Sequence, residues 1–414
     1  MATIAENLQT ILDIKNDIKS AIIAKGVSVA DDDGFATYPD KIESIESGGG
    51  NLEEKTIAVV SNGTQTILPN DGFDGLSSVK LNVAITDGAS ALNFSLIDYD
   101  TEFSAEINAK YNDDIAYSKS ILDKWNPDRT SASTYFLDNT KLVFCPNIDT
   151  SKIQDMGVMF ANCAKLIVVP QLNTANVVHM PSMFSACSSL ETIPLFNTSN
   201  VTDMSNMFIS CSSLTHIPQL DTSKVKKMTY MFQSCKLLTS IPLLDTSNVT
   251  DMSYMLSVCP SLTHIPQLDT SKVTNMGSMF SSCTSLTTIP PIDTSNVTNM
   301  SSMFGSCTKL QSLPLLDCSS VTNISAFFGY SNINTLTELG GFKNLKTSWT
   351  GYGSLNALPN LTYESVMNII NNLYDFRGNG DTSTTRTIQF NANSKALLSD
   401  EDIALATNKG WVIS

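Results

Sequence analysis

The chain has 414 residues, 42% of them apolar, which is enough for two or three domains with buried cores and excludes a disordered protein. Forty acidic against twenty-five basic residues leave a net charge of −15, which argues against nucleic acid or an anionic membrane as a partner, since both need a basic face. No stretch is apolar for long enough to span a membrane, and the start MATIAENLQTILDIKNDIK lacks a basic leader, so neither membrane insertion nor a secretion signal is expected and synthesis is placed in the cytosol.

In chain order, Ile4, Leu8, Ile11, Lys15, Ile18 and Ile22 recur at alternating steps of four and three. That is a heptad seam with Leu8, Lys15 and Ile22 at one core position and Ile4, Ile11 and Ile18 at the other; leucine at the first with isoleucine at the second leans toward trimers or tetramers. A homotrimer built on this helix is one expectation; a helix folded back on Phe35, Tyr38 and Ile42 is the other. Pro39 starts a short helix, and Gly48, Gly49 and Gly50 form a hinge that closes a module at residues 1–50. Residues 51–98 alternate like strands around Asn62-Gly63, which predicts a hairpin in a small β-rich module.

The words IKSAIIAKGVSVADDDGFATYPDKIESI and EEKTIAVVSNGTQTILPNDGFDGLSSVKLNV in these two modules resemble the N-terminal portion of tail-fibre and related virion proteins of tailed bacteriophages that infect gut bacteria. The resemblance implies attachment to other virion proteins, of tail or head, and localisation in a virion assembled in the host cytoplasm.

Phe103, Ile107, Tyr111, Ile115, Leu122 and Trp125 then recur at helical spacing until Asn126-Pro127, predicting a helix within residues 99–140 that caps the open end of a solenoid. Residues 141–328 are a unit of 24 residues repeated without insertion, with Cys163 to Cys307 in one column and Pro146 to Pro314 in another. A period of this size means a solenoid whose coils bury their apolar sides against each other. The inward columns of one coil are Leu262, Ile265, Leu268, Val273, Met276, Met279, Phe280 (Leu256 one coil earlier) and Cys283, expected on short strands and a helical turn. Fourteen of sixteen methionines and seven of nine cysteines fall in such columns, so they read as core rather than as metal or redox chemistry. Residues 329–414 break the period and predict a C-terminal cap. In it, a helix buries Val366, Ile369, Ile370 and Leu373, TTRTIQF forms a strand, and a second helix is capped by Ser399 and closed at Gly410 before a last strand. The fold class is α+β, a repeat solenoid with an N-terminal helix and β module and an α/β cap.

Segments of the form FxxCxxLxxIPxLDTSxVTxM resemble the BspA-like branch of leucine-rich repeats, common on bacterial surface proteins and in phage tail proteins. That resemblance implies an adhesive or structural solenoid of the leucine-rich-repeat type.

For function, the Asx column Asp149, Asn173, Asn197, Asp221, Asp245, Asp269, Asp293 and Asp317 could in principle hold calcium between coils, but each member has a turn to cap. No metal, cofactor or catalytic set is read. LTHIPQLDTSKV occurs identically at 214–225 and 262–273, so Thr215, His216, Gln219, Thr263, His264 and Gln267, with Thr287 and Thr288, form the candidate contact face for a host cell-surface glycan or protein. The leading reading is a receptor-binding fibre. Its alternatives are a head fibre or decoration protein, a bacterial surface adhesin, and a depolymerase that cuts glycans with two carboxylates.

Overall fold

The computed structural model describes residues 52–59, 75–83, 105–329 and 333–414. The heptad of residues 4–22, the Pro39 helix and the glycine hinge lie outside the described residues.

The chain divides into two units, 1–96 and 97–414. In the first, β1 (Leu52–Val59) and β2 (Gly75–Val83) pair in parallel, with a register shift between Glu53 and Glu54. This corrects the expected hairpin. Parallel neighbours need a crossover connection, and a two-residue turn at Asn62-Gly63 cannot join them.

The second unit opens with α1 (Ala105–Leu122). Its packed side is carried by Ile115 and Ser118, with Tyr117 and Ile121 partly buried, whereas Leu122 is exposed, a correction to the predicted apolar stripe. Ser118 donates to the Phe144 carbonyl at 2.6 Å and Trp125 to that of Asp149 at 2.9 Å, so the helix and its exit dock on the first coil. The coil register is already present at Ala132 and Phe136, one period before Met156 and Phe160, and ahead of residue 141.

The coils stack in parallel into a solenoid with a period of 24 residues. All the expected inward columns are buried, among them Leu262, Val273, Met276, Phe280 and Cys283 at 0% exposure. Phenylalanines form a spine, with Phe136, Phe160, Phe184, Phe208 and Phe232 stacked at 5.0, 5.4, 5.7 and 5.7 Å between ring centres. The Asx turns form at every expected position, as where Asp269 accepts from the Ser271 N–H at 3.0 Å. A neighbouring threonine column is buried as well; Thr222, Thr246 and Thr270 donate at 2.8–2.9 Å to the Asx carbonyl of the next coil. Their buried hydroxyls thus find an acceptor in the next coil.

The expected helical turn is corrected. Between Met156 and Cys163, alternate residues bond in different directions. Met156, Val158, Phe160 and Asn162 donate to the next coil at 2.7–3.0 Å, while Met159, Ala161 and Cys163 donate to the carbonyl three residues back. A helix would spend every N–H on its own carbonyls and leave none for the neighbouring coil. The alternation requires positive φ at Val158 (49°) and Asn162 (62°), the third residues of their turns, and it repeats coil after coil. Strands are also scarcer than expected, because the Ile-Pro pair removes an N–H from each ladder. Between residues 141 and 311 neighbouring coils meet through single bridges, and the first regular pairing is β3 (Ser312–Leu313) with β5 (Glu338–Leu339) and β4 (Leu316–Asp317) with β6 (Phe342–Lys343).

The cap agrees closely with its local sequence signals. Helix α2 (Tyr363–Asn372) buries Val366, Ile369 and Ile370, with Leu373 beside them; α3 (Ala392–Lys395) is short. Helix α4 (Asp400–Asn408) has a full capping box between Ser399 and Asp402, and β7 (Arg386–Ile388) pairs in parallel with β8 (Trp411–Ile413).

Candidate functional site

Two columns run along the Ile-Pro side of the coils, largely exposed. One carries Thr215, Thr263 and Thr287; the other carries Thr192, His216, His264, Thr288 and Ser312. The candidate face residues lie on this side, with Thr287 half-buried and the rest exposed. They are knitted along the stack. His216 lies between Thr192 and Thr215, with Nε2 and Nδ1 each 3.1 Å from a hydroxyl, and its partial desolvation there holds its pKa below the usual histidine value. His264 Nδ1 sits 3.0 Å from the Thr263 hydroxyl, and Ser312 donates to Thr288 at 3.0 Å.

Gln219 and Gln267 form a third column, in which their amide nitrogens donate to the carbonyls of Leu243 and Pro291 in the next coil. Those donors are occupied by the solenoid, and only the amide oxygens remain for a ligand. Leu195 and Leu243 alternate with them and are 59% and 60% exposed.

The columns end in a cleft that the spacing of 24 did not reveal. After Ser312 the next coil is offset by 26 residues, so the second column continues into Glu338. Helix α2 closes the far side, and the result is an open cleft of about 630 Å³ lined by Thr288, Ser312, Glu338, Thr362, Glu364 and Asn368. Its floor needs glycine. A Cβ at Gly340 would meet the Leu315 nitrogen at 2.4 Å, and one at Gly341, whose φ is 106°, the Asn368 carbonyl at 2.8 Å. Ser365 holds the helix in place, donating to the Thr337 carbonyl and accepting from the Leu339 N–H, both at 2.9 Å. Glu338 and Glu364 are exposed, and their carboxylates take part in none of the hydrogen bonds or ion pairs of the described residues.

The cysteine column contributes no chemistry to this face. All nine cysteines are buried free thiols, and those from Cys163 to Cys307 each donate to the carbonyl of residue i−27, as Cys211 does to Phe184 at 3.0 Å. Burial pushes the thiols of Cys163, Cys211 and Cys283 up to about 12 and the other column thiols well above the ordinary value, so they stay protonated and inert at neutral pH. Among the described residues, no three of His, Cys, Asp and Glu come together in a way that could hold a metal ion.

A family profile described as "Mycoplasma protein of unknown function, DUF285" matches residues 130–241 and 236–338. No curated protein matches the chain. Among solved structures, an internalin from Listeria monocytogenes is 17% identical over 68% of this chain and 76% of its own, with a TM-score of 0.26. A leucine-rich repeat protein from Bacteroides ovatus is 13% identical over 68% of this chain and 86% of its own, with a TM-score of 0.20. A leucine rich cell surface protein from Faecalibacterium prausnitzii is 18% identical over 61% and 65%, at 0.22. The two profile matches overlap and run from the first coil to the cleft residue Glu338, about half of the 414 residues, and the chain belongs to the DUF285 family.

Proposed function

We propose that the protein is a non-enzymatic binding module whose solenoid presents its threonine, histidine and glutamine columns to a surface glycan of a cell. The observation that carries this reading is the termination of the columns in the cleft of Thr288, Ser312, Glu338, Glu364 and Asn368, where hydroxyls, an amide and two free carboxylates converge. Sugar hydroxyls are both donors and acceptors, and such a lining offers both. The setting we propose is a virion fibre of a tailed bacteriophage, attached and trimerised through residues 1–50, because the words of the first two modules resemble such proteins. Three copies would multiply weak single-site affinities. A head fibre or a bacterial surface adhesin would use the same columns.

The test is binding of the full chain to bacterial cells and to their purified surface polysaccharide, beside a variant carrying Thr288→Ala, Ser312→Ala and Asn368→Ala. Loss of binding at an unchanged melting temperature supports the reading; equal binding sinks it. The mass of the full chain in solution tests the setting: a trimer is expected, and a monomer removes avidity from the account.

One observation favours a second reading, glycan depolymerisation. Glu338 and Glu364 share the cleft and are not occupied by turn capping, unlike the aspartates of the coils. A pair of carboxylates is what glycoside hydrolysis needs. Release of reducing ends from the polysaccharide, abolished by Glu338→Gln or Glu364→Gln, would replace the binding reading with this one.

A further inference from the structure

The solenoid carries a second surface, separated from the histidine columns by the Asx turn. One of its columns, mostly half-buried, holds Thr134, Val158, Ser182, Asn206, Tyr230, Tyr254, Ser278, Ser302 and Ala326, all with positive φ. Left-handed backbone is costly for a bulky or β-branched side chain, and apart from Thr134 and Val158 the rest of the column is serine, asparagine or alanine. Tyr230 (φ 59°) and Tyr254 (φ 58°) depart from that pattern in adjacent coils. Their rings are half-buried and stacked, 4.6 Å between centres and 7° from parallel. Since coils repeat at roughly the 4.8 Å of paired strands, the rings are layered along the solenoid axis. Beyond Tyr254 the column drops to Ser278, which is buried, and Ser302, which is half-buried and whose hydroxyl makes none of the hydrogen bonds of the described residues, so the stack ends in a step at Tyr254.

The surroundings are polar and mixed in charge. Lys227 is tied to Asp203 at 3.5 Å, and Asp251 is close enough to join burial and Tyr254 in raising the Tyr230 pKa. From this step we infer that Tyr230 and Tyr254 form a binding site for a hexopyranose ring of a neutral glycan. The apolar C–H face of the sugar packs on the terminal tyrosine ring, and its hydroxyls meet the Ser302 hydroxyl and the Asp251 carboxylate. A nucleobase would stack on the same ring, but the net charge of −15 repels the phosphates that come with it. Strain held at a half-buried aromatic pair, where serine serves the fold elsewhere in the column, points to use rather than to packing.

The test uses the full chain, Tyr254→Ser and the double variant Tyr230→Ser with Tyr254→Ser. Serine is what Ser278 and Ser302 already supply at this backbone conformation, so the substitutions keep the fold. The probes are trisaccharides of β-1,4-glucose, β-1,4-N-acetylglucosamine and α-mannose, titrated by calorimetry and by saturation transfer from the tyrosine protons. The expected result is that at least one trisaccharide binds, that its ring C–H protons receive saturation, and that Tyr254→Ser weakens it about tenfold, the order of one aromatic stacking contact. The site is overturned if no trisaccharide binds, if binding is equal in all three proteins, or if the variants lose only melting temperature. The cleft variant Thr288→Ala, Ser312→Ala, Asn368→Ala keeps this binding, so failure of the cleft reading and failure of the tyrosine site give different results.

Discussion

Thr222 and Thr215 lie in the same coil and bond to neighbouring coils in opposite surroundings. Thr222 is 1% exposed and donates at 2.9 Å to the Asp245 carbonyl; Thr215 is exposed and reaches the Glu191 carbonyl at 3.4 Å. The Thr222 hydroxyl is buried, and replacing it with a group that cannot donate removes its bond across the coils. On the surface, water takes over. The solenoid is therefore divided into inward columns that hold the coils in register and outward columns free to vary, and the variation at His216 or Gln219 costs the fold little.

The largest break in this comparison should come from the spine. Phe208→Ala opens a cavity between Phe184 and Phe232 and is expected to cost about 3–5 kcal/mol, while Leu243→Ala on the exposed column stays within about 0.5 kcal/mol, both read from denaturant midpoints. Next come the threonines themselves: Thr222→Val is expected to cost about 1–3 kcal/mol and Thr215→Val no more than about 0.5 kcal/mol. Equal costs would erase the distinction.

The pH dependence sharpens it further. The column thiols have folded pKa values raised above the unfolded ones, so their contribution is complete below about pH 8.5, where unfolded cysteine titrates, and is lost as pH rises toward 12. Midpoints measured at pH 7, 9 and 10.5 should fall in that order, and a thiol reagent should label the cysteines only after unfolding. Hydrogen bonds from Ser151, Ser223 and Ser271 hold the carboxyls of Asp149, Asp221 and Asp269 below the usual range. Their contribution is present above about pH 4 and lost as pH falls through the lowered values, a smaller effect because these groups are exposed. The smallest change is a gain: Ser282→Gly, at φ 63°, should relieve left-handed strain and raise stability by at most about 1 kcal/mol in thermal melts.

The inward columns are legible in the sequence because a fixed period leaves only one way for Leu262, Met276 and Cys283 to stack, and the cap because Ser399, Asp402 and Gly410 carry local helix signals. The alternating turns are not, since Val158, Tyr254 and Ser282 adopt positive φ without a glycine to mark it; the neighbouring coil imposes that conformation. The cleft is hidden by the change from 24 to 26 residues that brings Glu338 under the histidine column. The parallel pairing of β1 and β2 escapes a sequence reading because Asn62-Gly63 is a strong local turn signal that says nothing of which strands later meet.

The most direct test of the central claim, that inward columns build the fold and outward columns bind, is a glycan array probed with the full chain. The comparison protein carries alanine at Thr215, His216, Gln219, Thr263, His264, Gln267, Thr287 and Thr288. The expected result is that the wild-type chain binds, that the variant loses every glycan whose binding does not depend on Tyr254, and that both melt within a few degrees of each other. A variant that binds as well as the wild type, or one that unfolds, would contradict it.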